Sequence, residues 1–202
     1  MIINREKKYI FIHIPRTSGT NLYSCLSGDK YDATGNGHIF ARNIGRKYPD
    51  EFKEYYKFVI VRNDYERLYS WWWNRRFLKN SVIVDFRTWL FRDLKGSVDF
   101  GRNWEFGNKW NTCSQKTSQL EWIINKRGDI IVDQIIRFEN LEIELKKLGE
   151  IIGEDFSSMP RYGKNNPENM GSKYKRSVYD QDMIDFVKKY HNKSIKRFGY
   201  EL

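Results

Sequence analysis

The segment Lys8–Asn21 (KYIFIHIPRTSGTN) constrains the fold more than any other part of the chain. Tyr9–Ile12 is a nearly unbroken run of aromatic and β-branched residues, which is typical of a strand buried in a parallel sheet. Pro15 ends the strand because it has no N–H to donate. Arg16–Asn21 then supplies a cation, hydroxyl groups, backbone N–H groups and one conformationally free position, Gly19, directly before an apolar helical pattern. A turn of this composition at a helix N-terminus predicts an anion-binding site.

This turn is not the usual nucleotide-triphosphate loop. The GxxxxGK[ST] pattern is absent, because Gly19 is followed by Thr20 and Asn21 rather than by Lys and Ser or Thr. The cation instead precedes the glycine, in the order Pro-Arg-Thr-Ser-Gly-Thr. The alternative interpretation is an ordinary strand–turn–helix corner that Thr and Ser side chains cap.

A second strand-to-helix motif occupies Phe58–Ser70 (FVIVRNDYERLYS). Tyr56–Val61 predicts a second buried strand, Arg62 follows its end, and Asp64 can cap the next helix. Ser70 lies two turns into that helix, close enough for its hydroxyl and the Arg62 guanidinium to converge on one phosphate.

Ligands of parallel α/β sheets bind beyond the C-terminal ends of the strands, so Arg16 and Arg62 are expected to face the same crevice. The alternative for the second motif is a surface ion pair of Arg62 with Glu66 or Asp64.

Both motifs resemble those of sulfotransferases that use 3′-phosphoadenosine 5′-phosphosulfate (PAPS). His13–Thr20 is similar to their 5′-phosphosulfate loop, commonly HIPKTGGT, with Arg16 in place of Lys and Ser18 in place of a small residue. Phe58–Ser70 is similar to their 3′-phosphate motif, typically VRNPYERLYS, with Asp64 in place of Pro. The two motifs also occur in the family's order.

The resemblance covers most of the chain and is closest to small bacterial-type and glycan-type sulfotransferases. His38 stands where many carbohydrate sulfotransferases carry a Gly-His pair. The family's later strand and helix resemble the segment RFENLEIELKKLGEIIG. Its terminal helix resembles the last helical segment of this chain, which closes with FGY. Residues 85–111 are the least recognisable part.

The resemblance implies one domain over residues 1–202 with a central parallel β-sheet flanked by helices, the P-loop-like sulfotransferase fold. It implies in-line transfer of a sulfuryl group from PAPS to an acceptor hydroxyl, with 3′-phosphoadenosine 5′-phosphate (PAP) as the product. The cofactor-binding residues that it implies lie in the two motifs and in a late basic loop: Arg16, Thr17, Ser18, Gly19, Thr20, Asn21, Arg62, Ser70, Lys173, Tyr174 and Arg176.

Arg16 and His38 are the candidate catalytic residues. By resemblance Arg16 neutralises the leaving phosphate, although a permanently charged guanidinium is a poor proton donor. His38 is the candidate general base, because the ordinary pKa of histidine lies near neutral. His13 is expected to be packed in the core and His191 to be structural. Asp29, Asp32 or a glutamate in the middle of the chain are the alternatives for the base.

The net charge of +10 on 202 residues suits an anionic cofactor or an anionic acceptor such as a sulfated or uronic-acid glycan. The charge and the resemblance together favour a glycan, and a protein tyrosine, a lipid headgroup or a small metabolite remains open as the acceptor. Nucleic acid is not expected, because no zinc-finger spacing, RNP-type motif or long basic run is present. No apolar run approaches the roughly 20 residues that span a membrane, and no signal peptide is evident, so we expect a cytoplasmic protein. The cysteines, Cys25 and Cys113, are expected to be reduced, and no metal site is expected.

Two other classes of protein remain open. A nucleotide kinase or other P-loop phosphotransferase needs magnesium ligands, for which Asp64 is the only candidate in the two motifs. A non-catalytic protein that binds anionic glycans needs only the surface charge.

Outside the two motifs, periodicity predicts a helical segment, further helices, a third strand and a polar loop that is either a surface loop or a ligand lid. In chain order these are the helical segment Phe40–Tyr55 with a break at Pro49, helices over 85–94 and 115–125, the strand region Asp129–Phe138, a helix over 141–152 ended by Gly153, the loop Ser157–Ser177 and a helix over 179–197.

Overall fold

A computed structural model describes residues 1–26, 38–75, 84–91, 116–159 and 176–202. Its strands form one sheet in the order β1-β2-β3-β4. β2, β3 and β4 are parallel, whereas β1 pairs antiparallel with β2 at the edge. The strand bounds are β1 Ile2–Asn4, β2 Tyr9–Ile12, β3 Tyr56–Val61 and β4 Gln134–Arg137.

Helices connect and cover the strands. Most predicted helices are present, and their bounds are α1 Gly19–Leu26, α2 Ala41–Lys47, α3 Pro49–Glu54, α4 Asp64–Arg75, α5 Phe86–Phe91, α6 Leu141–Ile152 and α7 Gln181–Phe198. Short 3-10 helices span Gln119–Trp122, Phe138–Asn140 and Arg176–Val178. In the described ranges, no helix is long and apolar enough to cross a membrane.

The sheet is buried on both faces, as the uninterrupted apolar run of β2 predicts. Tyr9 and Phe11 pack in a cluster with residues of α1 and α6. Ile10 and Ile12 point to the opposite face, where residues of α2, α4, α5 and α7 complete a larger cluster. Successive side chains of a strand alternate between faces, so one strand contributes to both cores. The α/β class is therefore confirmed, with the correction that the sheet is mixed at its β1 edge.

The signals for helix ends agree with the structure. Pro49 is the first residue of α3, as its fixed φ favours. Gly153 ends α6 in the left-handed conformation, with φ of 70°. α5 begins one residue after Asp85, whose carboxylate accepts a hydrogen bond from the Thr88 backbone N–H.

The predicted helix over 115–125 is wrong where the structure describes it. Only a 3-10 turn forms, and the chain then reverses so that the Ile131 N–H donates to the Ile123 carbonyl. The reason is Asn125, whose side-chain oxygen accepts from the backbone N–H groups of Arg127 and Asp129. An Asn side chain that bonds to the following backbone makes a turn that competes with a helix.

Several predicted residues lie outside the described ranges. They are Asp29, Asp32, Cys113, Lys173, Tyr174, residues 92–111 and most of the loop Ser157–Ser177. Cys25 is described and is a free cysteine.

Candidate anion-binding site

The turn after β2 adopts an unusual backbone conformation. Arg16 and Ser18 have φ of 69° and 71°, in the left-handed region that residues other than glycine rarely adopt. Each such residue costs about 1–3 kcal/mol and tends to occur at functional sites. The Thr17 hydroxyl donates to the Ile14 carbonyl at 2.9 Å, and this bond holds the turn in place. The side-chain hydroxyl of Thr17 is therefore already used within the turn.

Gly19 does not supply the conformational freedom that the sequence suggested. It is not among the residues with positive φ, so the turn does not need its conformational freedom. It is needed for space, because a Cβ atom at this position would lie 1.8 Å from Nε2 of His13. The His13 ring therefore packs directly on the start of α1.

The first backbone N–H groups of α1 adjoin Arg16. The Ser18 carbonyl accepts from the Leu22 N–H at 3.2 Å, which makes Ser18 the residue that precedes the helix. The N–H groups of Gly19, Thr20 and Asn21 then have no partner within the helix, as in any first helical turn. They carry the positive end of the helix dipole, which favours an anion.

Arg16 and Ser70 join the two motifs. Nε and Nη2 of Arg16 lie 3.3 and 3.2 Å from the Ser70 hydroxyl oxygen, which accepts from both. Ser70 is buried, with 4% of its surface exposed. The turn after β2 and the helix after β3 thus converge at one edge of the sheet.

Arg62 lies beside Arg16. Burial, followed by the positive charge of Arg62, lowers the pKa of Arg16 to about 10. Arg62 is buried and pairs with Glu66 at 3.1 Å, and its guanidinium stacks on the Phe138 ring at 4.3 Å. The Arg62–Glu66 alternative is therefore present, with the Arg62 side chain buried and the Glu66 side chain 31% exposed.

Arg16 itself is not neutralised by any described residue. In the part of the chain that the structure describes, no carboxylate lies within ion-pair distance of its guanidinium. The partly buried guanidinium of Arg16 lies beside Arg62, and the acceptor that it contacts is the Ser70 hydroxyl, so its positive charge is not balanced by the described residues. Such a site favours the binding of an anion.

His38 packs on His13 beside this turn. The two rings have centroids 4.3 Å apart, and Nδ1 of His38 lies 2.9 Å from the His13 carbonyl oxygen. A carbonyl oxygen only accepts, so Nδ1 carries the proton and Nε2 carries the lone pair. Burial lowers the pKa of His38 to about 3, partly opposed by this hydrogen bond and reinforced by Arg16. His38 is therefore neutral at physiological pH.

The other two histidines are buried, as predicted. Only 7% of the surface of His13 is exposed, and burial, followed by the repulsion that a second protonated ring at His38 would cause, lowers the pKa of His13 well below the ordinary value. His191 is fully buried in α7.

We expect the free energy of unfolding to fall as the pH drops below about 6.5. The pKa of His38 is about 3 in the folded protein against an ordinary 6.5, so the unfolded chain binds more protons between these values. Stability is then complete above the unfolded pKa and decreases on acidification, by up to about 1.4 kcal/mol per pH unit for each of His13 and His38. Urea denaturation from pH 5 to 8 measures this slope.

His38→Gln should remove its share of that slope and leave the share of His13. The same unfolding free energy at pH 5.5 and pH 7.5 in the wild-type protein would contradict a buried neutral histidine pair.

Asp64 does not cap α4 as predicted. Its side chain is fully buried, and Oδ1 lies 3.4 Å from Nη2 of Arg67 and 3.2 Å from Nδ1 of His191. Ser194 donates to the other oxygen, Oδ2, at 2.6 Å. The cap comes instead from Asn63, whose side-chain oxygen accepts from the Tyr65 backbone N–H. Asp64 thus links the start of α4 to α7.

A second contact that the sequence did not predict holds the end of the chain against β3 and β4. Asn63 donates its backbone N–H to Glu139 and its side-chain amide to the Glu201 carbonyl. The Tyr200 hydroxyl donates to the other carboxylate oxygen of Glu139 at 3.0 Å. The segment after α7 therefore fixes the backbone next to Arg62.

Arg176 is exposed in its 3-10 helix. Burial raises the pKa of Tyr65, and the positive charge of Arg176 partly opposes this rise, so Arg176 lies near α4. No described contact joins it to Arg16 or Ser70, so its role in cofactor binding stays a prediction.

Comparison of the chain with protein-family models, with curated proteins and with solved structures found no match. A functional proposal must therefore be based on the two motifs and on the geometry of this site.

Proposed function

We propose that the protein is a sulfotransferase that moves a sulfuryl group from PAPS to an acceptor hydroxyl. The observation that carries the proposal is the convergence of Arg16, Arg62 and Ser70 at the C-terminal edge of the sheet, where no carboxylate of the described residues balances the charge of Arg16. These are the residues that the two motif resemblances assign to the nucleotide. A parallel sheet with this turn after its β2 strand also fits the P-loop-like sulfotransferase fold.

In this proposal, different residues bind the two anionic ends of the nucleotide. Arg16 and the backbone N–H groups at the start of α1 suit the 5′-phosphosulfate. Arg62 and Ser70 suit the 3′-phosphate, since a guanidinium fork binds phosphate in a bidentate manner. A guanidinium has five N–H donors, and Arg16 directs two nitrogens at Ser70, so donors remain for a ligand.

Transfer places negative charge on the oxygen that bridges the sulfuryl group and the leaving phosphate. Arg16 stabilises this charge from a fixed position, which is the largest contribution that such a site makes. Nε2 of His38 accepts the proton of the acceptor hydroxyl. Because the pKa of His38 is lowered to about 3, it takes this proton only as the hydroxyl becomes acidic during bond formation.

Asp64, the candidate magnesium ligand of the phosphotransferase alternative, is not available to bind a metal ion. Asp64 has no exposed surface, and its two oxygens contact Arg67, His191 and Ser194. The glycan-binding alternative makes no use of Arg16 and Ser70, so it predicts no nucleotide affinity.

Transfer of radioactive sulfur tests the proposal. The full chain, incubated with PAPS labelled with ³⁵S and with a panel of glycans, is expected to release PAP and to label at least one glycan. The panel should contain neutral, uronic-acid and sulfated oligosaccharides, with γ-³²P-labelled ATP and magnesium in a parallel arm. Incorporation of ³²P, or no incorporation of either label together with no PAP release, would contradict it.

A further inference from the structure

Gln119 has a fully buried side-chain amide that contacts the backbone of Arg62. It is the first residue of the 3-10 helix Gln119–Trp122, and none of its surface is exposed. Its side-chain oxygen accepts a hydrogen bond from the Arg62 N–H at 2.9 Å, and its side-chain nitrogen donates to the Arg62 carbonyl at 2.6 Å. One amide group thus binds both backbone polar groups of Arg62, as a paired residue does in an antiparallel ladder.

Arg62 needs such a contact because it lies where the ladders of β3 end. β3 pairs with β2 as far as Val59 and with β4 as far as Val61. Arg62 follows directly, and only 6% of its surface is exposed. A buried N–H or carbonyl group without a partner is costly, so the backbone of Arg62 requires an acceptor and a donor at this point. The amide of Gln119 supplies both.

The turn that carries Gln119 is itself held in place by local hydrogen bonds. The Ser118 hydroxyl accepts from the Leu120 N–H at 3.3 Å, and the Glu121 carboxylate accepts from the Ser118 N–H at 3.0 Å. This reciprocal pair forms a capping box, which orders the start of a helical turn. Gln119 therefore presents its amide to Arg62 from a fixed backbone.

The side chain of Arg62 is held by other residues than its backbone. Its guanidinium pairs with Glu66 at 3.1 Å and stacks on the Phe138 ring at 4.3 Å. These contacts set the direction of the guanidinium, whereas Gln119 sets the position of the Cα atom from which the side chain extends. A binding group must be held within about 0.5 Å of its productive position, and the residues that surround it supply this precision. A shift of the Arg62 backbone therefore affects any ligand that the guanidinium binds.

We propose that Gln119 is a positioning residue that holds Arg62 for the 3′-phosphate and so sets the preference of the site for a 3′-phosphorylated nucleotide. The inference rests on the proposed sulfotransferase function, in which Arg62 binds that phosphate. Gln119 carries no charge and contacts the Arg62 backbone, so it acts on the nucleotide through the position of the guanidinium. Its loss affects a nucleotide with a 3′-phosphate and spares one that has only the 5′-phosphate.

Calorimetric titration of the full chain with PAP and with 5′-AMP tests this role, because the two nucleotides differ in the 3′-phosphate. The first variant is Gln119→Met, which keeps the approximate volume of the side chain and removes both hydrogen bonds to Arg62. We expect PAP to bind at least about tenfold less tightly, the usual factor for one lost charge-assisted hydrogen bond. AMP should bind to this variant as it does to the wild type.

A second variant, Gln119→Asn, keeps a buried amide but shortens its reach by one methylene group. It should also bind PAP less tightly and AMP unchanged, and it decides the test if Gln119→Met does not fold. The matched control is Gln134→Met. Gln134 is the first residue of β4, away from the edge where Arg62 lies, and its side-chain oxygen accepts from the Tyr56 hydroxyl at 3.1 Å. This control should bind both nucleotides as the wild type does.

The outcomes separate this inference from the proposed function. If the wild type binds PAP and AMP equally, both proposals are overturned. If the wild type prefers PAP and the Gln119 variants keep that preference, or lose affinity for both nucleotides by the same factor, the positioning role is overturned and the sulfotransferase proposal stands. If neither Gln119 variant folds, Gln119 is required for the fold rather than for nucleotide preference, and the positioning role is overturned as well.

Discussion

Replacing Arg16 by methionine is expected to lower the rate of sulfuryl transfer about 10²–10³-fold, while the protein without ligand remains as stable as the wild type or becomes more stable. The rate falls because the charge that develops on the leaving group loses its positioned donor. Stability does not fall because Arg16 has no described carboxylate partner and lies beside Arg62. Removal of an uncompensated cation relieves repulsion and desolvation.

Two measurements check this prediction: kcat with saturating PAPS, and the free energy of unfolding in urea without ligand. Arg5→Met is the matched control, because Arg5 forms an exposed pair with Glu51 and 60% of its side chain is exposed. That variant should keep the wild-type kcat and change stability by no more than about 1 kcal/mol. An Arg16→Met protein that unfolds much more easily than the wild type would show that Arg16 stabilises the fold rather than the transferred group.

Asp64→Ala is expected to lower the free energy of unfolding by about 3–5 kcal/mol, the usual cost of removing one partner from a buried ion pair. The variant leaves Arg67, fully buried, without its carboxylate and removes one of the two acceptors of the Ser194 hydroxyl. The start of α4 would also lose its link to α7, and we expect the affinity for PAP to fall because this helix carries Ser70. Urea denaturation and calorimetry measure the two effects.

Asp182→Ala, on the exposed side of α7, is the control, since 71% of its side chain is exposed and its ion pair with Arg87 should contribute little. Acidification should reproduce part of the Asp64 effect. Burial raises the pKa of Asp64, but the contacts with His191, Arg67 and Ser194 outweigh it and hold the pKa below the ordinary 3.8. The contribution of Asp64 is therefore present above that value and is lost as the pH falls below it. Equal unfolding free energies for Asp64→Ala and wild type would contradict a stabilising role for this cluster.

The strands and the edge of the sheet could be predicted because they depend on local composition. β2 and β3 are continuous apolar runs, and each is followed directly by a turn with an arginine. Since parallel strands present their carboxyl ends at one edge, the order of the elements predicts that the turns with Arg16 and Arg62 face one crevice. The hydrogen bonds of Arg16 to Ser70 were not predicted. β1, with three residues and an edge position, has too little pattern to be recognised.

Contacts between residues far apart in the chain could not be predicted in this way. An Asp at the start of a helix is typical of an N-cap, and this is what the sequence predicts for Asp64. Asp64 is instead the centre of a buried cluster, because α7, more than a hundred residues later in the chain, packs against it. The glycine in the turn suggested backbone freedom, whereas its neighbours have positive φ and Gly19 makes room for the His13 ring.

Thermal unfolding with PAP and with 5′-AMP tests the central claim most directly, because the two nucleotides differ in the 3′-phosphate that Arg62 and Ser70 are proposed to bind. At about 100 times its dissociation constant, PAP should add roughly 2.7 kcal/mol of stability to the wild type, and AMP should add much less. Arg62→Ala should abolish the difference, whereas the Arg5→Met control should retain it. Equal stabilisation by PAP and AMP, or stabilisation by ATP with magnesium alone, would contradict a PAPS-binding site.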